Sequence, residues 1–321
     1  MAVAPFVHEP VMLDTVAVLL ARVPGGTYLD LTLGGGGHAS ALLAAHPGLR
    51  LVGIDRDPEA IAAASERLAP FADRVVLRHA RSDQLTDVLR DLDRHDVTAV
   101  LADLGVSSPQ VDRAHRGFSY RDDVDGPLDM RMDPTGGPSA AELLDAVDEA
   151  ELVRILQELG DERNARRIAR AITAARPIGT TGALARVVRD ATPAPARRRG
   201  GDPAKRTFQA LRMAVNEELG ILARTLDQAI SVLQPGGRAV VLAYHSGEDR
   251  LVKERFRAAA DGGCTCPPGL PCVCGAMPVA RLLRRGALKP GAAEVAANPR
   301  ARSARLRALE KTVRSPEGSS T

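Results

Sequence analysis

Four groups of residues in this 321-residue chain have the types and spacing to do chemistry. The first is Asp30-Leu31-Thr32-Leu33-Gly34-Gly35-Gly36-Gly37-His38, which leaves an apolar stretch through glycines and enters a helix signal. Glycine reaches positive φ and carries no Cβ, so a ligand can approach such a backbone closely. The second is Asp55, 21 residues after Gly34, at the tip of the next apolar stretch, where a carboxylate can accept from both hydroxyls of a ribose. These two groups suit a nicotinamide dinucleotide and S-adenosylmethionine alike, and Gly34-x-Gly36-x-x-Ala39 satisfies the loose dinucleotide pattern. Asp30 favours the second ligand, because a carboxylate there suits the cationic aminoacyl end of S-adenosylmethionine. Its other reading is a strand-end residue satisfied by backbone amides.

The third group, Asp103-Leu104-Gly105-Val106-Ser107-Ser108-Pro109-Gln110, follows another apolar run. The fourth holds all four cysteines: Cys264, Cys266, Cys272 and Cys274 form two C-x-C pairs five residues apart. Four thiolates at that spacing can supply a tetrahedral zinc site. The alternatives are unligated thiols in a surface loop, or a redox pair or disulfides, which a reducing cytoplasm disfavours.

The elements that must position these residues alternate. Apolar runs at 27–33, 50–55, 74–78 and 97–103 read as strands, and segments 38–45, 58–68 and 83–92 as helices. This order predicts an α/β fold with a doubly wound, mostly parallel sheet and ligands at the carboxyl ends of its strands. The order breaks after residue 108. A Gly/Asp/Pro-rich loop (116–138) precedes helix signals at 140–159, 162–175 and 182–191, then a Pro/Gly/Arg linker at 192–206. A long helix over 208–233 ends at Gln234-Pro235-Gly236-Gly237, and strands at 239–244 and 303–310 resume the sheet, the last as an edge. The division expected is 1–110 with 207–321 as the sheet domain, and 111–206 as an all-helical insertion.

Hydrophobic residues make up 45% and aromatics only 2%, so the core must be built from aliphatic side chains. No apolar run approaches the ~20 residues that cross a bilayer, and the first ten residues lack the features of a signal peptide. A cytoplasmic protein with no membrane partner is expected. The net charge of +3 hides a polarity: residues 1–160 carry −12, residues 161–206 carry +8 and residues 250–314 carry +10. Two basic blocks beside an acidic body are the footprint of a polyanion such as nucleic acid, with Arg197, Arg198, Arg199, Lys205 and Arg206 the densest run.

At Asp103–Gln110 the sequence resembles the bacterial 16S ribosomal RNA cytosine-N4-methyltransferase family. Further stretches agree in order: His8-Glu9-Pro10-Val11-Met12-Leu13, Gly34 to His38, Asp55-Arg56-Asp57-Pro58 and Arg116-Gly117-Phe118-Ser119-Tyr120. Then come Asp125-Gly126-Pro127-Leu128-Asp129-Met130-Arg131-Met132, Arg206-Thr207-Phe208-Gln209-Ala210, His245-Ser246, Glu248-Asp249-Arg250 and Asn298-Pro299-Arg300-Ala301-Arg302-Ser303. The matches run from about residue 8 to about residue 305.

The resemblance implies a Rossmann-like methyltransferase sheet interrupted by a helical insertion that recognises RNA. It implies S-adenosyl-L-methionine as donor and, as substrate, a decoding-site cytosine of 16S ribosomal RNA within the small subunit. Cofactor contacts carry over to Gly36, Gly37, His38, Asp55, Ser82, Asp103 and Gln110. The sequence departs at Ser82, where the family has an aromatic able to cover the adenine, and at Gly247, where an apolar residue is usual. Enzymes that methylate amino groups commonly take the acceptor for the amino hydrogens from a loop after the fourth strand. That role falls to Asp103 or a carbonyl of its loop. His245 and Ser246, after the fifth strand, are candidates to orient the base or its phosphate, or else cap the helix at Glu248. Phe118, Tyr120 and Tyr244 are candidates to stack on the base, or core residues. Two other functions fit parts of the sequence. A nicotinamide-dependent oxidoreductase leaves the basic blocks and the Asp103 loop without a purpose. A non-catalytic ribosome-assembly protein leaves the cofactor residues without one.

Overall fold

Strands that are apolar at nearly every position need cover on both faces, which only helices on either side of a parallel sheet supply. The computed structural model, which describes residues 10–194, 201–267 and 272–312, has this arrangement. Strands β1 (Gly26–Asp30), β2 (Leu49–Asp55), β3 (Val75–His79), β4 (Val97–Asp103), β5 (Leu233–Ala243), β6 (Ala280–Leu282) and β7 (Arg305–Lys311) form one sheet ordered β3-β2-β1-β4-β5-β7-β6. The first five run parallel, and β7 is antiparallel to both β5 and β6.

Alternate residues of each strand enter different cores. Tyr28, Leu51 and Leu101 join α1 (Leu13–Leu20) and α2 (Gly37–Ala45) on one face. Their neighbours Leu29, Val52 and Val100 join α4 (Leu85–Asp91) and the helices over Glu218–Val232 and Ser246–Asp261 on the other. Between β2 and β3, α3 (Pro58–Arg67) starts at a strong local signal: the Asp57 side chain accepts from Glu59 N at 3.0 Å, with Pro58 in the first turn.

The chain forms two compact units, residues 1–105 with 219–321 and residues 106–218. The second has its own core. Its helices include Ala165–Ala174, whose buried Ala165, Ile168, Ala169 and Ile172 follow the three-four spacing of one apolar face. Among its described residues are only helices, turns and an isolated bridge between Pro127 and Thr180. Phe208 and Leu211 belong to this core, so the helix Ala204–Val215 is part of the insertion, and residues 204–206 of the expected linker are helical.

Several local expectations differ from what forms. The long helix over 208–233 is two, broken at Asn216 and Glu217, the latter with φ +49°. Buried Asn216 donates to Met130 O at 2.7 Å and accepts from Met132 N at 2.8 Å, competing with helical continuation. The helix over 140–159 also divides, because Asp148 caps a new start by accepting from Glu151 N. The Pro-Gly-Gly stop signal sits within β5, as an irregularity between the pairs Val97↔Leu233 and Ala99↔Arg238. The strand near 303–310 is internal, because the unexpected three-residue β6 takes the edge. Among the described residues, no helix is long and apolar enough to cross a membrane.

Leu101 is fully buried in the central strand. Leu101→Ala is expected to destabilise the sheet unit by about 2–5 kcal/mol, read by chemical denaturation; a change under about 1 kcal/mol would show that the core collapses into the cavity.

Candidate active site

The sheet order reverses at β1, which has β2 on one side and β4 on the other, and ligands of such sheets bind beyond the carboxyl ends of the strands there. Asp30, Asp55 and Asp103 are the last residues of β1, β2 and β4. The three carboxylates therefore line one edge of the sheet.

Each is held differently. Asp55 accepts from Gly34 N at 2.8 Å and Asp57 N at 2.9 Å. Burial raises its pKa to about 6, against the pull of these two donors. Asp30, only 2% exposed, accepts from Tyr28 Oη at 2.7 Å and Thr32 N at 3.2 Å. Burial again pushes it up to about 6, the Tyr28 hydroxyl and His38 lower it, and Asp103 adds a small upward push. Asp30 is thus satisfied locally, by one hydroxyl and one backbone amide.

The Asp103 side chain is 18% exposed. Its Oδ1 accepts from Tyr244 Oη at 2.6 Å, and its backbone N–H donates to Thr32 Oγ1 at 2.6 Å. Its Oδ2 lies 3.8 Å from His38 Nδ1. His38 Nε2 is 3.1 Å from Val11 O. A carbonyl can only accept, so the ring proton belongs on Nε2 and the Nδ1 lone pair faces Asp103. Burial lowers the His38 pKa and favours this neutral form. Nδ1 and Oδ2 are then two acceptors spaced to share one amino or ammonium donor.

The glycine loop works mainly through its backbone. Gly36 has φ +73° and begins α2, and a Cβ there would press on Leu68 at 3.3 Å. At Gly37 a Cβ would fall 2.5 Å from Pro10 Cγ. Packing against Pro10 thus excludes a side chain at Gly37, and at Gly36 it is the positive φ that favours glycine. What they offer a ligand is the first turn of α2, which no side chain caps and whose N–H groups attract an anion.

The remaining candidates disperse. Ser82 lies two residues after Ala80, whose N–H donates to Asp55 O at 3.0 Å, and the Ser82 hydroxyl is 2.9 Å from Thr225 Oγ1. Gln110 lies in the inserted unit, where its Oε1 accepts from Ser107 N at 3.0 Å in a capping box. His245 caps the helix Ser246–Asp261: its Nδ1 accepts from Glu248 N at 3.4 Å, while Glu248 Oε2 accepts from Tyr244 N at 2.8 Å. His245 Nε2 is 3.1 Å from Glu248 Oε1, but off the line a hydrogen bond needs. Ser246 is the first residue of that helix. Phe118 is buried in the inserted unit and Tyr120 packs edge-on to Phe208 at 5.8 Å, so these two are core residues there. Tyr244 holds Asp103.

Sequence reasoning missed the hydroxyls of Tyr28 and Thr32, and it read Tyr244 only as a ring. The available signal was a polar residue inside each apolar run, with Tyr28 two places before Asp30 and Thr32 two places after it.

The model of the MraW methylase family matches residues 5–312. Among curated relatives, a ribosomal RNA small subunit methyltransferase H of Symbiobacterium thermophilum is 51% identical over 311 residues, covering 95% of this chain and 97% of the relative. One of Frankia alni is 53% identical over 318 residues, covering 97% of each chain. One of Thermobifida fusca is 53% identical over 312 residues, covering 95% of this chain and 93% of the relative. A match over nearly the whole chain, joined to the carboxylate edge described above, leads to one conclusion: the chain belongs to the MraW methylase family.

Proposed function

We propose that this protein methylates the exocyclic N4 of a decoding-site cytosine in 16S ribosomal RNA, within the small subunit and in the cytoplasm, with S-adenosylmethionine as donor. Family membership and the shared name of the relatives support the reaction class. The observation that carries the mechanism is Asp103, fixed by Thr32 and Tyr244 and facing the lone pair of His38.

The donor supplies an electrophilic methyl group on a cationic sulfonium, and the residues present fit it. A carboxylate has about four lone-pair sites. Asp55 uses two on Gly34 N and Asp57 N, which leaves two for a ribose diol. The open first turn of α2 suits the donor's carboxylate, and the charge of Asp30 suits its cationic groups. Ser82 offers the adenine a small polar wall in place of an aromatic cover.

The cytosine N4 lone pair is delocalised into the ring, so the amine is a weak nucleophile. Asp103 Oδ2 accepts an N4–H and draws that lone pair toward the reacting direction. Once N4 carries the methyl group its proton is acidic, and Asp103 would accept that proton and release it to water. No strong base is needed, because the proton is acidic only after transfer. His38 Nδ1 accepts from the donor's ammonium or from the second amino hydrogen. Tyr244, His245 and Ser246 act as positioning residues, holding Asp103 and the start of the following helix. The inserted unit meets the RNA, with Lys205 and Arg206 on phosphates; Arg197, Arg198 and Arg199 of that run lie outside the described residues.

The test is transfer of labelled methyl to small subunits that lack the decoding-site cytosine methylation, with the modified nucleoside identified. N4-methylcytidine is the expected product; donor binding without transfer would point to another RNA or to an assembly role. Asp103→Asn keeps a neutral acceptor but loses the carboxylate charge that draws on N4–H, so kcat should fall roughly 10²–10³-fold. Asp103→Ala should abolish turnover, and near-normal activity in either variant rules out this role. Tyr244→Phe should lower kcat about tenfold with unchanged donor affinity. An equal loss in donor affinity would mean that the hydroxyl serves the pocket as a whole.

Donor binding should also depend on pH. Ribose hydroxyls donate to ionised Asp55 and so lower its pKa in the complex. The free protein holds this group near 6, so affinity is full above about pH 6 and falls as pH drops through it, by at most about tenfold per pH unit for this one group. Calorimetry from about pH 8 to about pH 5 reads this directly, and a flat profile would exclude Asp55 as the ribose acceptor.

A further inference from the structure

We infer that Cys264, Cys266, Cys272 and Cys274 bind one zinc ion in a closed, structural site. Their ligand atoms all lie within 4.8 Å of one another. Cys264 Sγ is 3.5 Å from Cys272 Sγ and 3.7 Å from Cys274 Sγ, and the last two are 3.5 Å apart. A zinc ion with four Zn–S bonds of about 2.3 Å requires sulfurs about 3.8 Å apart at the corners of a tetrahedron. The chain therefore already holds its sulfurs near that spacing. A [4Fe–4S] cluster spreads four thiolates over four irons and a [2Fe–2S] cluster over two, so each needs some sulfurs further apart than these, and the spacing favours a single ion.

Packing gives no other reason for the convergence. Cys272 and Cys274 are exposed and Cys264 and Cys266 only partly covered. The apolar side chains nearby face outward, Val273 at 89% and Met277 at 59% exposure. None of the four cysteines belongs to a hydrophobic core. Ordering an exposed loop costs chain entropy, and bringing four thiolates together without a cation adds repulsion. A divalent ion offsets both, and the Val273 N–H, 3.4 Å from Cys266 Sγ, is the kind of donor that steadies a ligating sulfur.

The site's place in the fold fits a staple. The excursion leaves at the C-terminus of the helix Ser246–Asp261, where Cys264 N donates to Asp261 O at 3.2 Å. It returns at Val279, whose N–H donates to Ala259 O at 2.9 Å, just before β6. The metal closes this loop at the sheet edge. Four protein sulfurs fill the coordination sphere and leave no position for water, so the ion is not catalytic.

The test is metal analysis of full-length protein purified without chelator, followed by cobalt exchange. About one zinc per chain is expected. The cobalt form should show thiolate charge-transfer bands and the intense visible bands of a tetrahedral sulfur site. Cys272→Ser combined with Cys274→Ser should lose the metal and speed hydrogen exchange over residues 259–280, while S-adenosylmethionine affinity stays within about twofold. Zinc near zero in the wild type, with four freely reactive thiols or two disulfides, would overturn the assignment. So would metal retained by the double variant, or iron in place of zinc. If the double variant unfolds, zinc stoichiometry and the cobalt spectrum of the wild type still decide the matter.

Discussion

Three carboxylates at neighbouring strand ends are the constraint around which this structure is arranged. Parallel strands that stop at one level bring Asp30, Asp55 and Asp103 to the same edge, and burial opposes the charge of the first two. Among the described residues, the oxygens are met mainly by neutral donors, with the Arg56 charge a lesser pull on Asp55. Backbone N–H groups of Gly34, Thr32 and Asp57 and the hydroxyls of Tyr28 and Tyr244 point at carboxylate oxygens. A lysine or arginine in the same place would neutralise the edge and repel a cationic ligand. Neutral donors keep the negative field and still satisfy the oxygens.

The same economy governs the helices around the edge. The first turn of α2 is left without a side-chain cap, so its N–H groups remain for a ligand. The helix after β5 is capped on both sides, by His245 and by Glu248 reaching back to Tyr244 N. The first terminus keeps its donors open, and the second is fixed by its own side chains. In holding Tyr244, the second helix start also fixes the hydroxyl that holds Asp103.

Much of this was legible from sequence, because apolar runs ending in Asp or Gly mark both strand ends and loops. The strand-end positions of Asp55 and Asp103 were read that way, and so was the alternation that yields a doubly wound sheet. What stayed hidden depends on partners far along the chain. Tyr244 and Asp103 are 141 residues apart, and Thr32 and Asp103 are 71 apart, so no local pattern links them. The break at Asn216 was invisible for the same reason, since its competing partners are Met130 and Met132. Strand β6 has only three residues, too few to show a period. In Gln234-Pro235-Gly236-Gly237 the turn chemistry was read correctly, but the sheet absorbed it as an irregularity between paired stretches.

The insertion enters between β4 and β5, yet these strands remain hydrogen-bonded neighbours. This bears on the order in which a growing chain acquires its parts. Asp103 leaves the ribosome early, and the residue that anchors it follows only after the whole helical unit has been made. Domains tend to fold as units during synthesis, so the insertion can collapse on its own core while the sheet still lacks its fifth strand. An incomplete chain therefore carries its acidic edge without the Tyr244 anchor, and the centre is assembled only when the last third of the protein arrives.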